Sequence, residues 1–164
     1  MVKVIKNFIS TMNYTPKLNF PNINLRAKED NGHILVYNRI RSMYIVLTPE
    51  EWVRRHLVEF LILHCKAPLR SIVEEHPVSI NGMAQRADVV VMDNNARPLL
   101  LAECKSPDID FSNNNVLHEV FLQASRYNAI IKARYVVLTN GIQHFCYECC
   151  NNEYVALKHF PVLG

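Results

Sequence analysis

The chain has 164 residues, 49% apolar and 20% charged, which excludes a disordered or low-complexity protein and suits one domain with its own core. The net charge of +3, from 18 basic and 15 acidic residues, tolerates a nucleic-acid partner without demanding one. No apolar run approaches the ~18 residues of a membrane helix, and five cysteines without framework spacing read as reduced thiols.

Residues 1–30 are rich in Asn, Lys and Pro and are expected to form a loosely attached arm, with a single domain over 31–164. The N-terminus is too short and too interrupted for a signal peptide, so a cytoplasmic protein is expected. Two β-prone runs, 34–38 and 44–47, read as a hairpin. A helix start follows. Thr48 suits the N-cap, Pro49 the first helical position and Glu51 the third, which is a capping box. The helix buries Trp52, Val53, Leu57, Phe60, Leu61 and Cys65 on one face and stops before Pro68.

Three strands are expected next, over 72–80, 87–92 and 99–105, closed by Asn81-Gly82, Asp93-Asn94-Asn95 and Ser106-Pro107. Val89-Val90-Val91 and Leu99-Leu100-Leu101 are continuously apolar, so their strands belong at the sheet centre with both faces covered. An amphipathic helix over 113–133 carries the stripe Val116, Leu117, Val120, Phe121, Ala124, Tyr127 and Ile131. A buried strand over 135–138 ends at Asn140-Gly141, which reads as a turn. A final strand pair covers 143–149 and 154–158. The order predicts an α/β layer fold with a mixed sheet flanked by helices, an N-terminal hairpin and a C-terminal strand pair.

Charges interrupt the buried strands at two places. Asp88 sits inside Ala87-Asp88-Val89-Val90, and Glu103 and Lys105 end Leu101-Ala102-Glu103-Cys104-Lys105. Strand alternation points Glu103 and Lys105 to one face and Cys104 to the other, into the core. The short connection at 93–97 makes the two strands an antiparallel pair, with position 88 within a residue or two of 103. Carboxylates at the edge of an apolar core are costly without compensation. A divalent cation supplies it: Mg²⁺, with Mn²⁺ as substitute, suits Asp88, Glu103 and the Cys104 backbone carbonyl plus water. Such a metal acidifies a bound water, while Lys105 orients that water or neutralises charge at the phosphate. A plain ion-pair network of Asp88, Glu103 and Lys105 is the competing reading, since an acid-x-Lys triplet arises by chance in roughly half of chains this long.

Several motifs together resemble the N-terminal nuclease domain of type I restriction enzyme R subunits, within the PD-(D/E)XK superfamily. They are Leu47-Thr48-Pro49-Glu50-Glu51-Trp52-Val53, Arg86-Ala87-Asp88-Val89-Val90, Leu101-Ala102-Glu103-Cys104-Lys105-Ser106-Pro107, Gln123-Ala124-Ser125-Arg126-Tyr127-Asn128 and Leu138-Thr139-Asn140-Gly141. The resemblance implies a restriction-endonuclease-like core and a metal-dependent endonuclease hydrolysing DNA phosphodiester bonds in restriction-modification. It gives Asp88 and Glu103 to the metal and makes Lys105 the catalytic lysine. It assigns Gln123 and Tyr127 to the Gln-x-x-x-Tyr motif of nucleolytic function, and Glu51 to a first-helix acid that supports the metal. Ala87 stands where the name-giving proline would be. No Gly-x-x-x-x-Gly-Lys-[Ser/Thr] loop occurs, so translocation is expected to need a separate motor or specificity protein. A homodimer that cuts both strands is compatible with the superfamily. The rival class is a non-catalytic nucleic-acid- or protein-binding module that retains the fold.

Other groups read more simply. Cys146, Cys149 and Cys150, near His144 and His159, offer one ligand pair where zinc needs two, so reduced thiols are expected. Arg39, Arg41, Arg54, Arg55 and Arg70 are scattered. Arg54 and Arg55 read as solvated helix charges, with an approach to phosphates as the alternative. Trp52 reads as core, and both Glu51 and Tyr127 have structural readings as cap and packing residues.

Overall fold

The expected hairpin is present but has a third partner. The computed structural model describes residues 16–164. In it β1 (Ala27–Asp30), β2 (His33–Asn38) and β3 (Met43–Val46) form an antiparallel sheet in that order, with Ala27 opposite Val36 and Tyr37 opposite Tyr44. β1 escaped the sequence reading because only Ala27 of its four residues is apolar. Its turn was legible: Asn31 and Gly32 both adopt positive φ, at 49° and 77°, as a two-residue hairpin turn requires. Residues 16–30 are therefore no loose arm. Leu18, Leu25 and Ala27 are buried with the main core. Residues 1–15, the rest of the expected arm, lie outside the described residues.

Helix α1 (Pro49–Leu63) starts as predicted, with Pro49 in its first turn and the Thr48 hydroxyl accepting from the Glu51 amide at 3.1 Å. The other half of the capping box is replaced. The Glu51 carboxylate turns to Arg54 and Arg55 instead of back to the cap. Trp52, Val53, Leu57, Val58 and Leu61 form the buried face. Trp52 is core as expected, its indole N–H donating to the Pro16 carbonyl at 3.3 Å.

The main sheet runs β4 (Ile72–Ile80), β5 (Met83–Met92), β6 (Pro98–Cys104), β7 (Tyr135–Thr139), β8 (His144–Cys150) and β9 (Glu153–Leu157), in spatial as in sequence order. Every neighbouring pair is antiparallel except β6 and β7. That parallel pair needs a crossover, which α2 (Asn114–Ile131) supplies. β5 is four residues longer at its start than the apolar run suggested, because residues 83–86 continue a hairpin with β4. The Asn113 side chain caps α2 at its start. The helix ends with its apolar stripe at Ile131, two residues short of the expected 133, because Lys132 adopts left-handed φ of 60° and the Asn128 amide takes both backbone groups of Ala133.

The apolar runs are central, as expected. Val89, Val91, Leu100, Ala102 and Cys104 pack with α1 and the small sheet, while Val90, Leu101, Val136 and Leu138 pack with α2. Fully burying each of these leucines contributes about 2 kcal/mol. The result is an α/β fold with a mixed sheet flanked by helices, consistent with a restriction-endonuclease-like core. No helix among the described residues is long and apolar enough to cross a membrane.

Candidate functional site

Asp88 and Glu103 meet where β5 and β6 part. The strands pair antiparallel up to Val89 and Ala102, and continuing that register sets Asp88 opposite Glu103. Beyond this pair the ladder is filled by a side chain: Asp88 Oδ2 accepts from the Cys104 amide at 2.7 Å. On the other side, β4 is irregular at the same level. Its register passes from Glu74–Val89 to His76–Ala87, and Glu75 between them has φ of 49°. A carboxylate that cannot sit in a regular sheet interior is thus accommodated at a gap between strands.

Glu103 is 2% exposed, and its carboxylate receives one long hydrogen bond, from the Asp88 amide at 3.4 Å. Burial first, and then the neighbouring Asp88 charge, push its carboxyl up to about 8. Such a group is short of positive charge. A hard divalent cation prefers carboxylate and carbonyl oxygens together with water, and this donor set fits one. Among the described residues no group of three or more His, Cys, Asp and Glu side chains forms a metal-ligand cluster, so the side-chain donors here are two carboxylates. Cys104 faces the core, fully buried, and burial raises its thiol well above the usual range.

Lys105, two residues beyond Glu103, is held by α2. Its Nζ donates to Gln123 Oε1 at 3.0 Å, Gln123 Nε2 donates to Tyr127 Oη at 3.1 Å, and Tyr127 Oη reaches Gln85 Oε1 on β5 at 3.4 Å. Helical spacing of four stacks Gln123 over Tyr127, and the buried Tyr127 ring anchors the row. The sequence-predicted Asp88, Glu103, Lys105, Gln123 and Tyr127 are therefore brought to one place. Gln85 was missed, since nothing in its polar strand position distinguishes it.

Arg54 and Arg55 are where the structure corrects the sequence reading. They are not solvated: their side chains are 11% and 3% exposed. Arg54 Nη2 lies 2.8 Å from Asp88 Oδ1 and 2.9 Å from Glu50 Oε1, and Nη1 lies 3.0 Å from Glu51 Oε2. Burial opposes the Arg54 charge, but Asp88 and the two glutamates outweigh it and raise its pKa. Arg55 Nε lies 2.6 Å from Glu51 Oε1, and its Nη2 pairs with the Glu74 carboxylate, which also accepts from Asn38 Nδ2 at 2.5 Å. Arg41 from the turn after β2 approaches Glu74 and pairs with Glu75. A buried chain of charges thus runs from the small sheet to Asp88. Glu51 stands one arginine away from the carboxylate pair, with each oxygen at ion-pair distance from an arginine. The spacing of Glu50 and Glu51 to Arg54 on one helix face was the available signal for this network.

The remaining cysteines do not converge. Cys146 is buried against α1, with its thiol pushed up to about 12 by burial, whereas Cys149, three residues on, points to the opposite face of β8. His144 is committed through both ring nitrogens, to Thr139 Oγ1 and the Asn19 carbonyl, each at 2.8 Å. Asn140-Gly141 is more than a turn. Asn140 is buried, and its side chain accepts from the amides of Ile142 and Gln143 and donates to the Ile109 carbonyl.

No curated protein gives a significant match to the chain. A family model described as the type I restriction enzyme R protein N terminus matches residues 49–161, well over half of the chain and including every residue named above from α1, β5, β6 and α2. The chain belongs to the family of type I restriction enzyme R protein N termini.

Proposed function

We propose that this domain is a metal-dependent endonuclease of the PD-(D/E)XK type that hydrolyses DNA phosphodiester bonds. The observation that carries this is the buried, charge-deficient Glu103 carboxyl beside Asp88, with Lys105 on the same strand end. Asp88, Glu103 and the Cys104 carbonyl would hold Mg²⁺, or Mn²⁺ in its place. When bound, the ion supplies Lewis acidity and lowers the pKa of a water. Lys105 would aim its ammonium at the attacking water or at charge building on the phosphate. Gln123 sets the height of Lys105 by accepting from its Nζ, and Tyr127 sets Gln123. The family places the domain with restriction proteins, so a separate motor or specificity protein is the proposed partner, and DNA in the cytoplasm the proposed substrate.

A second reading has its own support. Arg54 already gives Asp88 a counter-ion, as in a non-catalytic module whose acids form an ion-pair network. Two measurements separate them. Calorimetric titration of Mn²⁺ should show binding at millimolar concentration or tighter, lost in Asp88→Ala. Lys105→Ala should retain metal binding and its melting temperature while cleavage of duplex DNA falls by about 10²-fold or more. A wild-type protein that binds neither Mn²⁺ nor Mg²⁺, with or without a short duplex, would establish the binding-module reading.

A further inference from the structure

The Arg54 guanidinium has three carboxylates around it, and one of them is the proposed metal ligand Asp88. It does not need Asp88 to remain in place. Glu51 holds Nη1 and Glu50 holds Nη2, both from its own helix at 3.0 and 2.9 Å. Asp88 is the extra partner, drawn from β5 across the gap between strands. Arg54 also has a donor to spare: Nε is buried and has no hydrogen-bond partner among the described residues. Arg55 next to it also has buried nitrogens without a hydrogen-bond partner, but it is fixed by ion pairs between Glu51 and the deeply buried Glu74 and has no contact with Asp88 among the described residues.

A divalent cation on Asp88 would stand beside this guanidinium, since both would bind oxygens of one carboxylate. Like charges that close repel strongly where solvent is scarce. A phosphate diester offers the guanidinium two non-bridging oxygens, which its planar fork can take as a bidentate pair and not as one shared carboxylate oxygen. Glu50 sits at the rim, its side chain 43% exposed, so the guanidinium is within reach of a polyanion arriving from solvent.

From this geometry we infer that Arg54 is the resting counter-ion of Asp88, displaced when metal binds and handed to a backbone phosphate of the substrate. It is a positioning residue that links metal loading to the presence of nucleic acid. The inference rests on the metal-site reading above. By linkage, a duplex that draws Arg54 away must tighten metal binding, and metal must tighten the duplex by the same factor.

The test is calorimetric titration of Mn²⁺ into Lys105→Ala protein, which keeps the substrate uncut, with Arg54 present or changed to Met. Without DNA, the Arg54→Met protein should bind Mn²⁺ about tenfold tighter or more, because a nearby positive charge is gone. A short duplex should tighten Mn²⁺ binding in the protein that retains Arg54, and much less in the Met variant. Arg54→Lys keeps the charge but cannot bridge, so its affinity should fall between the two. Because Arg54→Met takes the arginine from Glu50 and Asp88 and leaves Glu51 with Arg55 alone, melting curves accompany the titrations. Mn²⁺ should raise the melting temperature of the Met variant more than that of its parent. Equal Mn²⁺ affinity in parent and Met variant, weaker binding in the variant, or an equal gain from the duplex overturns the inference while leaving the metal site standing. Absence of binding in every protein overturns the metal site itself, and the inference with it.

Discussion

Glu103→Gln should make the metal-free protein more stable at pH 8.5 and, in the same change, abolish its response to Mn²⁺. The carboxyl has a folded-state pKa of about 8 against an ordinary 4.5, caused by burial and then by Asp88. Between those values the folded protein keeps a proton that the unfolded chain has lost. Stability therefore falls as pH rises from about 4.5 to 8 and stays low above it. The loss reaches on the order of 5 kcal/mol if the group is left without a cation. Solvent does little to reduce this, because Glu103 is 2% exposed. Glutamine has the same shape and no charge to desolvate, so its melting temperature should lack that slope. At pH 4 to 5 the two proteins should melt together. Saturating Mn²⁺ should restore wild type at high pH and leave the variant unmoved. Parallel stability profiles across this range would show that Glu103 is ionised and compensated in the free protein.

Arg55→Ala should be the most damaging charge removal in the molecule. Arg55 and Glu74 are 3% and 2% exposed at their side chains, and Arg55 also meets Glu51. Removing the guanidinium leaves a buried carboxylate with Asn38 as its near hydrogen-bond donor. Breaking one side of such a pair costs about 3 to 5 kcal/mol. For a domain of this size that lowers the melting temperature by roughly 10 °C. Replacing both partners, Arg55→Met with Glu74→Leu, should recover most of the loss, because neither charge is then stranded. A single-variant cost below about 1 kcal/mol would mean that water reaches the pair. The measurement is denaturant unfolding of the two variants beside wild type.

Much of this arrangement could be read in advance from periodicity. The central strands, both helices and the pairing of Asp88 with Glu103 follow from apolar runs, a capping box and the short connection between β5 and β6. Lys105 was legible from strand alternation with Glu103, Gln123 and Tyr127 came from motif resemblance, and the structure places the three in one hydrogen-bonded row. What escaped has a common cause. β1 is a strand only because β2 offers it an edge, as Lys28 and Glu29 carry no strand signal of their own. Arg54 and Arg55 look like surface charges on a helix until Glu74 and Asp88 arrive from distant strands to enclose them. Long-range burial decides both, and local sequence carries little trace of it. Glu51 shows the same limit in small form: its capping position was right, but its carboxylate answers to arginines one turn along.

The parallel pairing of β6 with β7 also sets an order of assembly. β4, β5 and β6 are joined by tight turns, so Asp88 and Glu103 can meet as soon as a local meander forms. Cys104 and Thr139 become neighbours only after the chain between them has folded back through α2. Closing that loop costs entropy before any contact rewards it. The acids therefore face each other first, and Gln123 takes hold of Lys105 last. Pulse-labelled amide exchange should find β4 to β6 protected ahead of β7. A chain interrupted during synthesis would then carry paired carboxylates but a slack lysine, so the proposed site would stay incomplete until its crossover had closed.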